Sequence, residues 1–201
     1  MHIAVLGATG RTGRLVVEAA RKRGHVVTAL TRGTPPPDQE TLKWVRGDIN
    51  SRRALLETVE GQEAVISALG PTKADLHICS AATARLIDLG VSRLVVISGA
   101  AVDVPGDEKD LVGRVVSGVV HMLSPAVFAD KQREMSLLLN SDLDWTAVRP
   151  PRLTNKNSDR PIRVRLERSP GNVIDRGTLA RFCVNVAENH LYSRQAPFVA
   201  N

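Results

Sequence analysis

The sequence is poor in aromatic residues, which make up 3% of its 201 positions and include a single tyrosine. So few rings leave no stacking platform for single-stranded nucleic acid, and no nucleic-acid partner is expected. Cysteine is scarce too. Cys79 and Cys183 both lie in apolar helical stretches and read as reduced core residues rather than a disulfide. No Cys/His cluster has metal-ligand spacing, so no metal site is expected. No apolar run approaches the ~20 residues of a membrane span. The opening "MHIAVLGATG" reads as a first strand rather than a leader. These absences point to a cytoplasmic protein; a monomer or weak dimer is expected. Hydrophobic residues at 43% support a sizeable core.

The formal charge is +6, and part of it is local. Between Arg149 and Arg176 stand eight Lys/Arg against three Asp/Glu, a net of +5. Such a segment suits a ligand carrying phosphates, a partner surface, or a solvated face with no ligand.

The glycines carry the sharpest signal. "GATGRTG" (Gly7–Gly13) follows the apolar run Ile3, Val5, Leu6, too short for a helix and therefore a buried strand. Behind it, Leu15, Val16, Ala19 and Ala20 recur at helical spacing up to a stop at Gly24. Strand, glycine turn and helix form the dinucleotide-binding context. There Gly7 permits the turn, Gly10 admits a pyrophosphate and Gly13 lets the helix pack closely. Thr9, Arg11 and Thr12 complete the loop, and the helix N-terminus offers free N–H groups.

Beyond it, strands and helices alternate. Strands are expected at Val26–Leu30, Leu42–Asp48, Ala64–Leu69, Arg93–Ser98 and Asp144–Pro150. Helices are expected from Ser51 to Gly61, through Ala74–Gly90 and Val127–Ser141, and from Asp175 to His190. The alternation predicts parallel βαβ units: a doubly wound Rossmann sheet in a three-layer α/β/α arrangement. Residues 1–201 read as a single domain, with a small substrate-side portion from about 150 on. The irregular segment 103–124 suits a flap over the site.

At the end of the second strand a free ribose 2′-OH calls for an acid, a 2′-phosphate for an arginine. The strand ends "ALTRG", and no acid appears until Asp38. Arg32, with Thr31 beside it, therefore favours NADP(H) over NAD(H).

"GATGRTG", "GD" at Gly47–Asp48, "SALG" at Ser67–Gly70, "VVISGA" at Val95–Ala100 and "SDLDWTAVRPPRL" at Ser141–Leu153 occur in order. The pattern resembles the atypical short-chain dehydrogenase/reductase group, especially its small NAD(P)H-binding members of the flavin reductase and biliverdin reductase B type. The resemblance implies that Asp48 and Ile49 border the adenine. It implies that Leu69, Gly70 and Ser98 line the nicotinamide ribose, and that Pro150 and Pro151 flank the nicotinamide. Reductases with a Tyr-x-x-x-Lys pair use the tyrosine as general acid; here Lys131 stands at the lysine position and Val127 at the tyrosine's. Tyr192 lies far downstream.

General acid catalysis is worth roughly 10²–10⁴-fold, so its loss argues against ketone chemistry. A flavin, quinone or biliverdin-like tetrapyrrole accepts hydride and takes its proton from water. Lys131 and Ser98 are the candidate catalytic side chains, with Lys131 serving binding more than proton transfer. A regulatory NADP(H)-binding protein of the NmrA-like kind, without turnover, stays open as the alternative. A sugar-nucleotide epimerase is disfavoured by the missing tyrosine and the short C-terminal portion.

Overall fold

A computed structural model describes residues 1–72, 75–108, 122, 124–155 and 160–201. Six strands form one parallel sheet: β1 (His2–Leu6), β2 (Val26–Thr31), β3 (Leu42–Arg46), β4 (Ala64–Ser67), β5 (Arg93–Ile97) and β6 (Asp144–Val148), in the order β3-β2-β1-β4-β5-β6. The helices are α1 (Gly13–Lys22), α2 (Arg52–Val59), α3 (Ile78–Asp88), α4 (Pro125–Leu139) and α5 (Arg176–Glu188). This is the doubly wound Rossmann fold that the alternation implied. Among the described residues no helix is long and apolar enough to cross a membrane.

Side-chain alternation along β1 splits the core in two. Ile3 and Val5 pack with Val16 and Ala20 of α1 and with Leu179, Cys183 and Val186 of α5. Ala4 and Leu6 face Leu55 of α2, Leu86 of α3 and Met135 of α4. Helices thus cover both faces, which is why β4 and β5 are buried at every residue. Cys79 and Cys183 are free thiols on opposite sides of the sheet, each pushed up to about 12 by burial.

Some elements depart from the expected ranges. α3 starts at Ile78 rather than Ala74, because Thr72 and Asp75 exchange backbone bonds and Asp75 Oδ1 accepts from His77 N at 3.0 Å. Two short pairs were not foreseen: β7 (Arg152–Thr154) beside β9 (Val173–Asp175), and β8 (Arg163–Arg165) against β10 (Phe198–Ala200). The basic segment is not a wholly solvated face. Arg149 is buried, bonds both oxygens of Asp107 at 2.7 and 2.8 Å, and stacks on the Phe198 ring. Most of the proposed flap lies outside the described residues.

The chain after α5 returns along β6, where Arg194 N donates to Trp145 O at 2.7 Å and Arg149 N to Pro197 O at 2.8 Å. Its turn holds His190, Tyr192 and Arg194 at positive φ, a conformation uncommon outside glycine. Arg93, fully buried, fixes it there. Its guanidinium donates to Asp144 Oδ1 at 2.8 Å, Thr146 Oγ1 at 2.7 Å, Val186 O at 3.1 Å and Leu191 O at 2.8 Å. Removing one partner of a buried ion pair costs about 3–5 kcal/mol. Arg93→Ala should therefore lower the thermal midpoint by roughly 6–20 °C, at about 2–4 °C per kcal/mol for a chain of this size. A calorimetric shift under about 2 °C would show that the returning tail is held by other contacts.

Candidate functional site

The sheet order reverses between β1 and β4, and ligands of open α/β sheets bind at such a switch point, beyond the strand carboxyl ends. The loop Gly7–Thr12 crosses this point. Gly7 has φ +74°, and a Cβ there would lie 2.9 Å from the Ala68 carbonyl. Gly10 N closes the turn onto Gly7 O at 3.0 Å. A Cβ on Gly13 would lie 2.0 Å from Gly7 O, so α1 starts in contact with the end of β1 only because position 13 carries no side chain.

The start of α1 has no side-chain cap, and the N–H groups of Arg11, Thr12 and Gly13 have no acceptor among the described residues. Orphan donors at the positive end of a helix dipole suit a pyrophosphate. The loop therefore fits a dinucleotide.

On one side of the loop lies a cavity of about 180 Å³, lined by Gly7, Thr9, Gly10, Thr31, Arg32, Asp48, Ile49, Leu69 and Gly70 among others. Thr31 is buried and its Oγ1 accepts from Gly33 N at 3.2 Å. Arg32 is exposed and has no ion pair among the described residues. Asp48 Oδ1 turns the chain by accepting from Asn50 N and Nδ2, both at 2.8 Å. Gly47 has a packing reason of its own: a Cβ there would lie 2.2 Å from Ala54 Cβ on α2.

On the other side a cavity of about 440 Å³ shares Gly10, Leu69 and Gly70 and adds Arg11, Thr12, Ser98, Val127, Lys131 and Arg176. Ser98 Oγ is buried with no hydrogen-bond partner among the described residues. Lys131 is no loose surface lysine. It is buried, and its Nζ donates to Ile97 O and Glu134 Oε2, both at 2.9 Å, and to Leu69 O at 3.4 Å. Burial opposes its charge, but the Glu134 carboxylate outweighs that and holds its pKa above the ordinary lysine value. Pro150 and Pro151 stand apart. Neither lines the cavities, and Pro150 O accepts from Ala100 N at 2.9 Å.

Three residues of this site escaped the sequence reading. Glu134 carries a signal, since it follows Lys131 at helical i,i+3 spacing. Asp130 reaches across to α3, where its carboxylate accepts from Cys79 N at 3.0 Å and Ser80 N at 3.1 Å, so a residue of α4 caps the start of α3. Arg176 was counted in the basic segment but not linked to the cavity.

The comparisons follow the same lines. YwnB of Bacillus subtilis is 31% identical over 104 residues, 50% of this chain and 48% of its own, so the chain spans about half of that relative. A Streptococcus pneumoniae structure provisionally named an NADH-flavin reductase superposes with TM-score 0.78 at 22% identity, covering 100% of this chain and 99% of its own. A Veillonella parvula short-chain dehydrogenase/reductase in complex with NADP gives TM-score 0.80 at 15% identity, with 100% and 94% coverage. These two share the fold. The NAD(P)H-binding family matches residues 7–190, from the first glycine of the loop past the end of α5, and the chain belongs to that family.

Proposed function

We propose that the chain is an NADPH-dependent reductase that passes hydride to a flavin or related planar acceptor, a quinone or a biliverdin-like tetrapyrrole, without a tyrosine acid. The observation that carries this reading is the commitment of Lys131. One turn before it stands Val127, which cannot donate a proton, and the Lys131 ammonium is already bonded to two carbonyls and Glu134. A ketone needs a proton as the hydride arrives; a flavin or quinone does not.

When bound, the cofactor supplies the hydride. The chain orients it. The α1 N-terminus holds the pyrophosphate, Asp48 and Ile49 border the adenine, and Leu69, Gly70 and the Ser98 hydroxyl line the ribose beside the nicotinamide. Arg32, with no ion pair among the described residues, takes the 2′-phosphate. Lys131 keeps its charge and offsets the negative charge that develops on the acceptor. The resemblance to the flavin reductase type supports the acceptor class.

The deciding experiment mixes the protein with NADPH and, in turn, FMN, riboflavin and a quinone. Sustained NADPH oxidation with at least one acceptor is expected. Tight NADPH binding with no oxidation by any would establish the regulatory reading instead. Because Lys131 stays protonated well past neutrality, turnover at saturating NADPH and riboflavin should be nearly flat between about pH 6 and 8, where among side chains only a histidine-like group would titrate. A one-proton step in that window, abolished in Lys131→Ala, would make Lys131 the acid and end this reading.

Cofactor choice is tested at Arg32. A charge-assisted hydrogen bond contributes about 1.5–3 kcal/mol, so Arg32→Ala should weaken NADPH binding by roughly ten- to a hundredfold and leave NADH nearly unchanged. Equal losses for both would show that Arg32 does not read the 2′-phosphate.

Two glycines of the loop should respond differently. Gly13→Ala drives a Cβ into the Gly7 carbonyl, and overpacking of this kind costs about 1–3 kcal/mol. Gly10→Ala meets that oxygen only at 3.2 Å but intrudes on the pyrophosphate position. Thermal scans should show the larger midpoint drop for Gly13→Ala, and calorimetry should show Gly10→Ala losing NADPH affinity out of proportion to its stability. The reverse order would exchange the two roles.

A further inference from the structure

A groove of about 580 Å³ opens beside the Lys131 cavity, and the dinucleotide reading uses only its Arg11. Arg11 and Arg176 line both spaces, and Arg14 lines the groove. The groove also holds two carboxylates, but both are engaged. Glu18 pairs with Lys22 at 2.6 Å. Asp175 caps α5, accepting from Thr178 N at 2.8 Å and Thr178 Oγ1 at 3.0 Å, and it also accepts from Asn201. The side chains of Arg11 and Arg14 have no ion pair among the described residues.

Arg176 is the telling residue. It is 9% exposed, and its guanidinium makes one hydrogen bond, to Asn155 Oδ1, and no ion pair among the described residues. The two other arginines buried among the described residues are treated differently. Arg93 has Asp144 and three further acceptors, and Arg149 has both oxygens of Asp107 and the Ala196 carbonyl. A buried charge without a counter-charge is unfavourable. Burial and the facing Arg11 both press the Arg176 pKa below its usual value. The fold gives a carboxylate to two of its buried arginines and aims the third into an open groove beside a second cation.

We propose that Arg176, Arg11 and Arg14 form a subsite for a phosphate monoester on the tail of the acceptor, so that this chain selects anionic acceptors over neutral ones of the same ring. Guanidinium forks match a phosphate oxygen pair in geometry and charge. The groove adjoins the Lys131 cavity through Arg11 and Arg176, so a ring seated by Lys131 and a tail in the groove belong to one ligand. The acceptor assignment rests on the reductase reading; the anion subsite does not. The other source of phosphate is the cofactor's own pyrophosphate, because Arg11 belongs to the glycine loop.

FMN and riboflavin share one ring system and differ in the phosphate. Their binding to the full chain saturated with NADP⁺, read by quenching of flavin fluorescence, tests the subsite without turnover. FMN should bind tighter by about tenfold or more, with the advantage shrinking as salt rises. Arg176→Gln and, separately, the exposed Arg14→Gln should each cut that advantage while NADP⁺ affinity holds. Should Arg176→Gln not fold, Arg14→Gln carries the test. The subsite is overturned if FMN and riboflavin bind alike, if neither binds, or if the preference survives both substitutions. It is also overturned if either variant weakens NADP⁺ as much as FMN, since the arginines would then serve the cofactor. A preference for FMN without NADPH oxidation would keep the subsite and remove the reaction.

Discussion

The contact on which the site depends is that between the start of α1 and the end of β1. With 2.0 Å between the Gly7 oxygen and an imagined Gly13 Cβ, no other residue lets the helix begin there. Move α1 outward by the width of a methyl group and its orphan N–H groups leave the switch point. The same contact sets the floor on the other side, where Gly7 lies against the Ala68 carbonyl and so ties the loop to the end of β4. Position and donor direction thus come from backbone packing, with no side chain interposed. This gives the crevice its rigidity before any ligand enters.

Lys131 does at the end of β5 what the glycines do at β1. Its ammonium joins Ile97 O, at the end of β5, to Leu69 O, just beyond β4, while Glu134 holds the charge from α4 itself. The buried Ile97 carbonyl is satisfied this way, and leaving it unpaired would cost about 1–3 kcal/mol; the part-buried Leu69 carbonyl also accepts from Cys79 Sγ. The lysine therefore fixes the spacing of the strand ends that frame the cavity. A group so employed offers charge and position more readily than a proton.

The sheet and its order of elements were legible because parallel strands buried on both faces leave apolar runs, and the crossover helices show their period. The glycine turn was legible because three glycines, each three residues after the last, exceed what a bare strand-to-helix turn requires. So were the caps: Ser51 Oγ accepts from Ala54 N at 3.3 Å, and Asp175 caps α5 as its position implied. What escaped depends on contacts between distant positions. Nothing near Arg93 in the chain announces Leu191, and nothing near Arg149 announces Asp107. As charges counted in sequence, Arg149 and Arg176 belonged to a basic stretch whose role stayed open between ligand, partner and solvent, and both are buried. The start of α3 moved for a similar reason, since part of its cap comes from Asp130, 51 residues away from Cys79.

The departure at Val127 and the presence of Glu134 belong to one electrostatic problem. A lysine in a Tyr-x-x-x-Lys pair is set against the tyrosine whose acidity it tunes. With valine one turn earlier, that partner is gone, while the buried ammonium still needs a counter-charge. Glu134 provides it from the following turn, at a distance of 2.9 Å and with 1% of its side chain exposed. The pairing holds the ammonium protonated, even though burial pushes the Glu134 carboxyl upward as well, and a proton donor working near neutrality needs the opposite. On the proposed reductase reading, loss of the acid and locking of the lysine reinforce one another, and hydride acceptance without a protein-borne proton follows from the two together.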